Sequence, residues 1–357
     1  MKKYIFLLVA IFLAIFTFEI FMRLRYYEQL KTRQTATNRI PDSLLVYTRK
    51  AYTVDTIITP GVNRIYRTNN KGFLGQDFQT DKKDPVFRIA VVGNSNTAAT
   101  QKNDSDNFCS LLQRNCQSDG LSVEVYNFGK EGGEKDIQNL NGIESEVISY
   151  NPDLILLELT FPIYYKRYVF EEYRNYVLEY DPHIPESRQE CIQIVDDLYN
   201  SKILTSIYDV SFIVRAYCKK YIERHSMWDV RALNERNSNF EKHLYSYIRK
   251  DAKAYVPIYT VSWGYYYERL KEINQKLSPG SKIVFFTYGQ YSNDVRKLLN
   301  DCGIGYLELR IYQYTNLPIF SKLEGHFNEL AHSLLAERLY GQLNRKGYIN
   351  KCNYYGK

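Results

Sequence analysis

The stretch FRIAVVGNSNTAAT, residues 87–100, joins an apolar, β-branched segment to a tight polar turn that is followed by small residues. Residues 87–92 predict a parallel strand buried on both faces, because such strands are continuous apolar runs rather than alternating ones. The turn that follows places Ser95 just beyond the end of this strand. A serine in this position is most often a helix cap, so a catalytic role for Ser95 requires partners from elsewhere in the chain.

The pattern of apolar strand and amphipathic helix repeats along the chain. Further strands are predicted at residues 123–128, 152–159, 281–289 and 303–309, and helices at 106–117, 135–149, 291–301 and 328–343. This alternation predicts an α/β fold, a three-layer, doubly wound (flavodoxin-like) parallel sheet of five strands. The strand at 152–159 is the most hydrophobic, and we expect it to lie at the centre of the sheet.

Four parts of the chain follow from this pattern. They are a signal anchor or transmembrane helix (1–22), a polar stalk and turn-rich lead-in (23–85), the α/β domain (86–160 with 281–350) and an inserted cap (161–280). The inserted segment is rich in tyrosine, arginine and lysine and interrupts the alternation of strand and helix. We expect it to be helical and to shape the cleft above the sheet.

The N-terminal segment YIFLLVAIFLAIFTFEIFM, residues 4–22, is apolar apart from Glu19 near its end. About 20 apolar residues suffice to span a bilayer as a helix. No small-x-small cleavage site stands out, and no cysteine follows that could be lipidated. These features predict an uncleaved single-pass anchor with the catalytic domain outside the cytoplasm, in the periplasm or at the cell surface. The flanking basic residues are balanced, so a cytoplasmic body stays open as an alternative.

The charge distribution and the cysteine spacing indicate which kinds of partner the chain can bind. The net charge of +7 is distributed over short Lys/Arg pairs without a long basic run, which argues against a nucleic-acid partner and fits a protein close to an anionic membrane surface. The six cysteines form no CxxC pair and have no metal-ligand spacing with the five histidines, so we expect neither a metal nor another cofactor.

Three residues with the chemistry of ester cleavage follow strand ends in chain order. Ser95 supplies a hydroxyl, His326 an imidazole to take its proton, and Glu324 a carboxylate to orient that imidazole. Backbone N–H groups at Ser95 or Asn96 and at Gly129 could stabilise an oxyanion. A dinucleotide or nucleotide phosphate site is excluded because the turn lacks both the GxGxxG and the Walker A spacing.

The blocks RIAVVGNSNTAAT, YNFGKEGG, PDLILLEL and EGHFNELAHSLLAERL resemble the successive blocks of the SGNH/GDSL hydrolase superfamily. The resemblance covers residues 66–160 and 281–343. It implies an esterase with Ser95 as the nucleophile, His326 as the base and Gly129 as an oxyanion donor.

The chain departs from the family pattern at three places. Asn94 stands where the family has an aspartate, and Glu324 replaces the aspartate two residues before the histidine. The asparagine that donates to the oxyanion has no counterpart, since Thr160-Phe161-Pro162 occupies its place. Loss of one such donor costs about 10²–10³ in rate, so Asn96, Thr160 or a cap residue would have to substitute for it.

The resemblance and the anchor together predict a membrane-anchored serine esterase that removes an acyl group, acetyl in the first place, from an envelope glycan or a lipid. Two alternatives remain open. The same serine could serve an O-acyltransferase, because the chemistry up to the acyl-enzyme is identical. The chain could also be an inactive glycan-binding module that has kept the fold without the oxyanion asparagine.

Overall fold

The computed structural model describes most of the chain. It covers residues 2–30, 39–42, 45–59, 62–83, 85–130, 136–166, 169–173, 176–180, 185–201, 211, 213–214, 216–217, 244–246, 258–314, 318–320 and 326–349. The strands are β1 (Arg39–Asp42), β2 (Val46–Arg49), β3 (Val54–Thr59), β4 (Val62–Arg67), β5 (Phe87–Gly93), β6 (Val123–Gly129), β7 (Leu154–Glu158), β8 (Ile163–Lys166), β9 (Val169–Tyr173), β10 (Tyr176–Tyr180), β11 (Leu244–Ser246), β12 (Ile258–Val261), β13 (Lys282–Thr287) and β14 (Tyr306–Glu308). The α-helices are α1 (Lys2–Leu30), α2 (Ser95–Ala98), α3 (Phe108–Ser118), α4 (Asp136–Gly142), α5 (Pro185–Asn200), α6 (Trp263–Asn274), α7 (Asn293–Asp301) and α8 (Glu329–Arg345).

A five-stranded parallel sheet in the order β14-β13-β7-β5-β6 forms the centre of the fold. This order is the doubly wound, flavodoxin-like one, and β7 is the middle strand, so both predictions are confirmed. The chain runs from β5 outward to β6 and then crosses to β7 on the other side. Functional groups of such sheets lie at the carboxyl ends of the strands on either side of this reversal, which here are the ends of β5 and β7.

Helices cover both faces of the sheet because successive residues of a strand point to opposite sides. Ile89 and Val91 of β5 pack with helices α3 and α8 on one face. Ala90 and Val92 of the same strand pack with α4 and α6 on the other. The fold is therefore the predicted three-layer α/β arrangement.

The inserted segment differs from the expected all-helical cap. Its described part contains the strands β8 to β12 as well as the helices α5 and α6, and β11, β12 and β8 form an antiparallel sheet. Stretches such as IYYK and VFEEY are rich in aromatic and β-branched residues, which favour strands, so the overall Tyr/Arg/Lys content was a poor guide. Helix α6 packs directly on the sheet, with Tyr266, Leu270 and Ile273 buried in its core. Most of residues 206–225, expected to be a cap helix, lies outside the described residues.

The segment before β5, the first strand of the parallel sheet, contains more secondary structure than a stalk would. It contains two antiparallel hairpins, β1-β2 and β3-β4, and a turn-rich lead-in whose Phe73 and Phe78 are buried. Phe78 stacks on Tyr126 of β6 with ring centroids 4.5 Å apart. The lead-in therefore packs on one face of the sheet at the edge strand β6.

Candidate active site

The turn after β5 is shaped by Asn94. Asn94 caps helix α2 in an extended conformation, and its side-chain oxygen accepts the N–H of Asn96 at 3.1 Å. Ser95 is the first residue of this short helix and is half-buried. As in other helix starts, the N–H of Ser95 has no intrahelical partner, and no acceptor for it is present among the described residues. The turn thus presents a hydroxyl and a free backbone donor from the same residue.

Two glycines allow this turn to lie against the strands. A Cβ at Gly129 would lie 2.2 Å from the backbone nitrogen of Ala98, and one at Gly93 would lie 2.2 Å from Oγ1 of Thr97. Neither position accepts a side chain without displacing the serine turn. The close approach that Gly129 allows is with helix α2, and its role as an oxyanion donor stays a prediction.

Asn127 ties β6 to the same turn. Its side-chain nitrogen donates to the carbonyl of Thr97 at 2.9 Å, and its side-chain oxygen accepts the N–H of Gly129 at 2.8 Å. Gly129 can therefore donate to an oxyanion only if its N–H is shared between Asn127 and the substrate.

A buried carboxylate below the serine turn is the main feature that sequence reasoning missed. Glu158, at the end of β7, is 2% exposed. It accepts the backbone N–H of Asn94 at 3.0 Å and also bonds the Asn94 side-chain amide. The hydroxyls of Thr97 and Tyr288 donate to it at 3.1 and 3.0 Å. Burial raises the pKa of Glu158 to about 7, and the hydrogen bonds from Asn94, Tyr288 and Thr97 oppose this rise.

The loop before α8 brings His326 toward the serine turn. The N–H of Phe327 donates to the side-chain oxygen of Asn96 at 3.3 Å, so the neighbours of His326 and Ser95 are in direct contact. Phe327 is buried beside Tyr288, and Asn328 caps α8 through the N–H of Ala331. Helix α8 and the aromatic core therefore fix the position of residues 326–328.

The imidazole of His326 has one unmatched atom. Its Nδ1 is buried and has no hydrogen-bond partner within the described residues. A carboxylate accepting from Nδ1–H is what a catalytic triad requires at this position. Glu324, the residue predicted for that role, lies in the segment 321–325, outside the described residues.

Thr160 does not present free donors. Its N–H and hydroxyl both donate to the buried carboxylate of Asp136, at 3.1 and 3.2 Å. The Asn96 N–H is likewise used by the Asn94 cap, which leaves its side-chain nitrogen available. Among the candidate backbone donors to the oxyanion, the Ser95 N–H is the one that makes no hydrogen bond to another described residue.

Other candidates have structural roles or lie outside the described residues. His332 is buried in α8 and accepts the Phe108 N–H at 3.3 Å; burial lowers its pKa to about 4. Across the described residues no group of His, Cys, Asp and Glu is arranged to hold a metal ion. Three of the described cysteines, Cys109, Cys116 and Cys302, are free thiols.

No protein-family model matches the chain, and no curated protein sequence matches it. Solved structures that resemble it include a member of the lipolytic G-D-S-L family from Veillonella parvula (11% identity, 72% of this chain and 99% of that chain, TM-score 0.36). A lipase/acylhydrolase from Enterococcus faecalis has 11% identity over 73% of this chain and 96% of its own, with a TM-score of 0.36. A family 3 carbohydrate esterase from Clostridium thermocellum has 11% identity over 73% and 96%, with a TM-score of 0.37. At such TM-scores and identities the activity has to be inferred from the chain's own residues.

Proposed function

We propose that the chain is a membrane-anchored serine esterase of the SGNH type, which removes an ester-linked acyl group, acetyl in the first place, from a glycan or lipid outside the cytoplasm. The observation that carries this proposal is the hydrogen bond from the Phe327 N–H to Asn96. It joins the turn of Ser95 to the loop of His326 across the carboxyl edge of the sheet. A nucleophile and a base supplied by two separate segments need such a link to keep a fixed separation.

The reaction follows the two-step course of serine esterases. The Ser95 hydroxyl attacks the ester carbonyl carbon while Nε2 of His326 takes its proton. The tetrahedral intermediate collapses, the alcohol oxygen leaves with that proton, and the acyl group remains on Ser95. Water then attacks the acyl-enzyme with His326 again as base, and the free acid and the Ser95 hydroxyl are released.

Stabilisation of the oxyanion is the weakest feature of this site, because few hydrogen-bond donors are available for it. The family's asparagine is absent, Thr160 is engaged by Asp136, and the Gly129 N–H is engaged by Asn127. The Ser95 N–H and the Asn96 side-chain amide are the remaining donors. Because one missing donor costs about 10²–10³ in rate, we expect turnover to be slow compared with that of a complete oxyanion hole.

The anchor is proposed from helix α1. Its segment Tyr4–Leu24 is long and apolar enough to cross a membrane, a property that a signal sequence shares. The carboxylate of Glu19 pairs with Arg23 at 2.9 Å, which lowers the cost of placing it near the membrane boundary. Alkaline extraction of membranes should leave the full chain in the pellet, and protease added to spheroplasts, whose cytoplasmic membrane is intact, should cleave the sheet domain. Release by alkali would contradict an uncleaved anchor.

The activity is tested with p-nitrophenyl acetate and the full chain in detergent. We expect acetate release by the wild type and none above background by Ser95→Ala. The matched control Ser118→Ala, at the exposed end of α3, should keep wild-type activity. Equal rates for the wild type and Ser95→Ala would overturn the proposal. Release that requires an added sugar acceptor would indicate the acyltransferase instead.

A further inference from the structure

A cavity of about 490 Å³ opens at the carboxyl ends of β7 and β13, beside Thr160. Its walls combine aromatic rings, side-chain amides and one cationic group. The residues that matter are Phe161, Tyr291, Tyr312, Gln290, Gln313 and Arg310. None of the residues that line it carries a carboxylate. This composition, apolar faces with a few polar groups that fix orientation, is that of a ligand site.

The aromatic walls are held in place by the protein. The Tyr291 hydroxyl donates to the Leu159 carbonyl at 3.1 Å, and the ring of Phe161 packs edge-on against it. Tyr312 lies on the side toward the candidate catalytic loop, with its ring centroid 6.1 Å from that of Phe327. The cavity is therefore separated from the residue after His326 by a single aromatic contact.

The cation in the cavity, the Arg310 guanidinium, has one ion-pair partner among the described residues. The carboxylate nearest to it, Glu308, is held by two hydrogen bonds from Arg296, at 2.7 and 3.0 Å. Arg310 reaches the same carboxylate only at 3.4 Å, and its side chain is 44% exposed. One carboxylate therefore faces two guanidinium groups, and Arg296 has the better geometry. Only Nη2 of Arg310 is engaged in this pair, so its other N–H groups can donate to a ligand.

We propose that this cavity is a subsite for a sugar that carries a carboxylate, that is, a uronic acid unit of an acidic glycan. Arg310 pairs with the carboxylate, the Gln290 and Gln313 amides bond the hydroxyls, and Tyr312 covers a face of the ring. This assignment rests on the proposed function for its meaning as a substrate site and narrows the glycan to an acidic one. A planar guanidinium suits a carboxylate because it can donate two parallel hydrogen bonds.

Binding is measured by calorimetry with the full chain in detergent, carrying Ser95→Ala so that no turnover intervenes. The probes are a galacturonic acid trisaccharide and a neutral galactose trisaccharide. We expect the acidic probe to bind at least tenfold more tightly than the neutral one. Arg310→Gln should remove this preference, because the charge-assisted hydrogen bonds are lost. The control Arg345→Gln, on the last turn of α8 and outside the cavity, should keep it. Tyr312→Ala should weaken the binding of both probes.

Equal affinity for the two probes, or an unchanged preference in Arg310→Gln, would overturn the subsite. A separate result overturns the proposed function, namely the absence of Ser95-dependent ester cleavage in the wild type. An Arg310-dependent preference without esterase activity would support the subsite in a glycan-binding module. Esterase activity without charge preference would leave the esterase standing and remove the subsite.

Discussion

The carboxylate of Glu158 accepts hydrogen bonds from both the backbone N–H and the side-chain amide of Asn94, the residue before Ser95. The side-chain oxygen of Asn94 in turn caps the helix that begins at Ser95. The conformation of the serine turn is thus coupled to a buried acid in the central strand. In the family pattern an aspartate stands at position 94; here the acid is in the neighbouring strand and the turn carries the amide.

Glu158→Gln should change how stability depends on pH. Burial raises the pKa of Glu158 to about 7 from a usual value of 4.5, so the folded state binds the proton more tightly than the unfolded state does. The stabilisation is therefore complete below about pH 4.5 and is lost as the pH rises through 7. Relative to the variant, the wild type should lose up to about 3 kcal/mol of unfolding free energy across this interval.

Denaturant unfolding of the full chain in detergent, from pH 4.5 to 8, measures this difference. Glu337→Gln, on the exposed side of α8, is the control and should follow the wild type at each pH. A difference between the wild type and Glu158→Gln that stays constant over the range would show that the buried acid does not titrate there.

Asn96 should be tested with two substitutions. Asn96→Ala removes the acceptor of the Phe327 N–H, and we expect a 10- to 100-fold lower kcat, since a displacement of about 1 Å can cost 10² in rate. Asn96→Asp keeps the acceptor but loses the amide donor. Recovery in the aspartate variant assigns the effect to the link between the two segments, whereas equal loss assigns it to the oxyanion.

The control for these variants is Asn300→Ala at the exposed end of α7, which should retain full activity with p-nitrophenyl acetate. Wild-type kcat in Asn96→Ala would contradict both roles of Asn96.

Glu324→Gln should lower turnover by about 10²–10⁴ if Glu324 accepts from Nδ1–H of His326. A neutral amide can hold the wrong tautomer and does not stabilise the imidazolium. Glu324→Asp should be tolerated, because it restores the shorter side chain that the resembled family has. Single-turnover acylation rates measure both variants. A glutamine variant as fast as the wild type would leave a dyad of Ser95 and His326.

His332 gives a second pH effect, opposite in sign to that of Glu158. Burial lowers its pKa to about 4, so the folded state resists protonation and loses stability as the pH falls from about 6.5 to 4. His332→Gln should remove this acid-side loss, which amounts to about 3 kcal/mol. The measurement is the difference between the unfolding free energies of the wild type and the variant at each pH. A constant difference would contradict a neutral buried imidazole at position 332.

The sheet was predictable because its signals are local. Residues 87–92 and 152–159 are apolar enough to be buried strands whatever surrounds them, and their helices follow at regular intervals. The candidate partners of Ser95 were predictable only through their order in the chain, and the resemblance supplied their roles. The sequence cannot give the distances between segments far apart in the chain, such as that joining Asn96 and Phe327.

What was missed depends on burial that only the tertiary structure defines. Glu158 ends a strand of otherwise apolar residues. An acid is seldom buried in such a place without hydrogen-bond partners, so its position in the sequence was a signal of polar groups nearby. Asp136 was overlooked as the partner of Thr160 because it begins a helix, where an acid is ordinary. The strands of the inserted segment were not predicted, because its average content of tyrosine, arginine and lysine was taken to indicate helices.

The central claim, that Ser95 is an activated nucleophile, is tested most directly by labelling with a fluorophosphonate probe, which reports the serine without a known substrate. The full chain in detergent should take up one probe molecule, located on Ser95 by mass spectrometry. Labelling should disappear in Ser95→Ala, fall steeply in His326→Ala and persist in Ser118→Ala. Undiminished labelling of Ser95→Ala, or no labelling of the folded wild type at pH 8, would contradict the account.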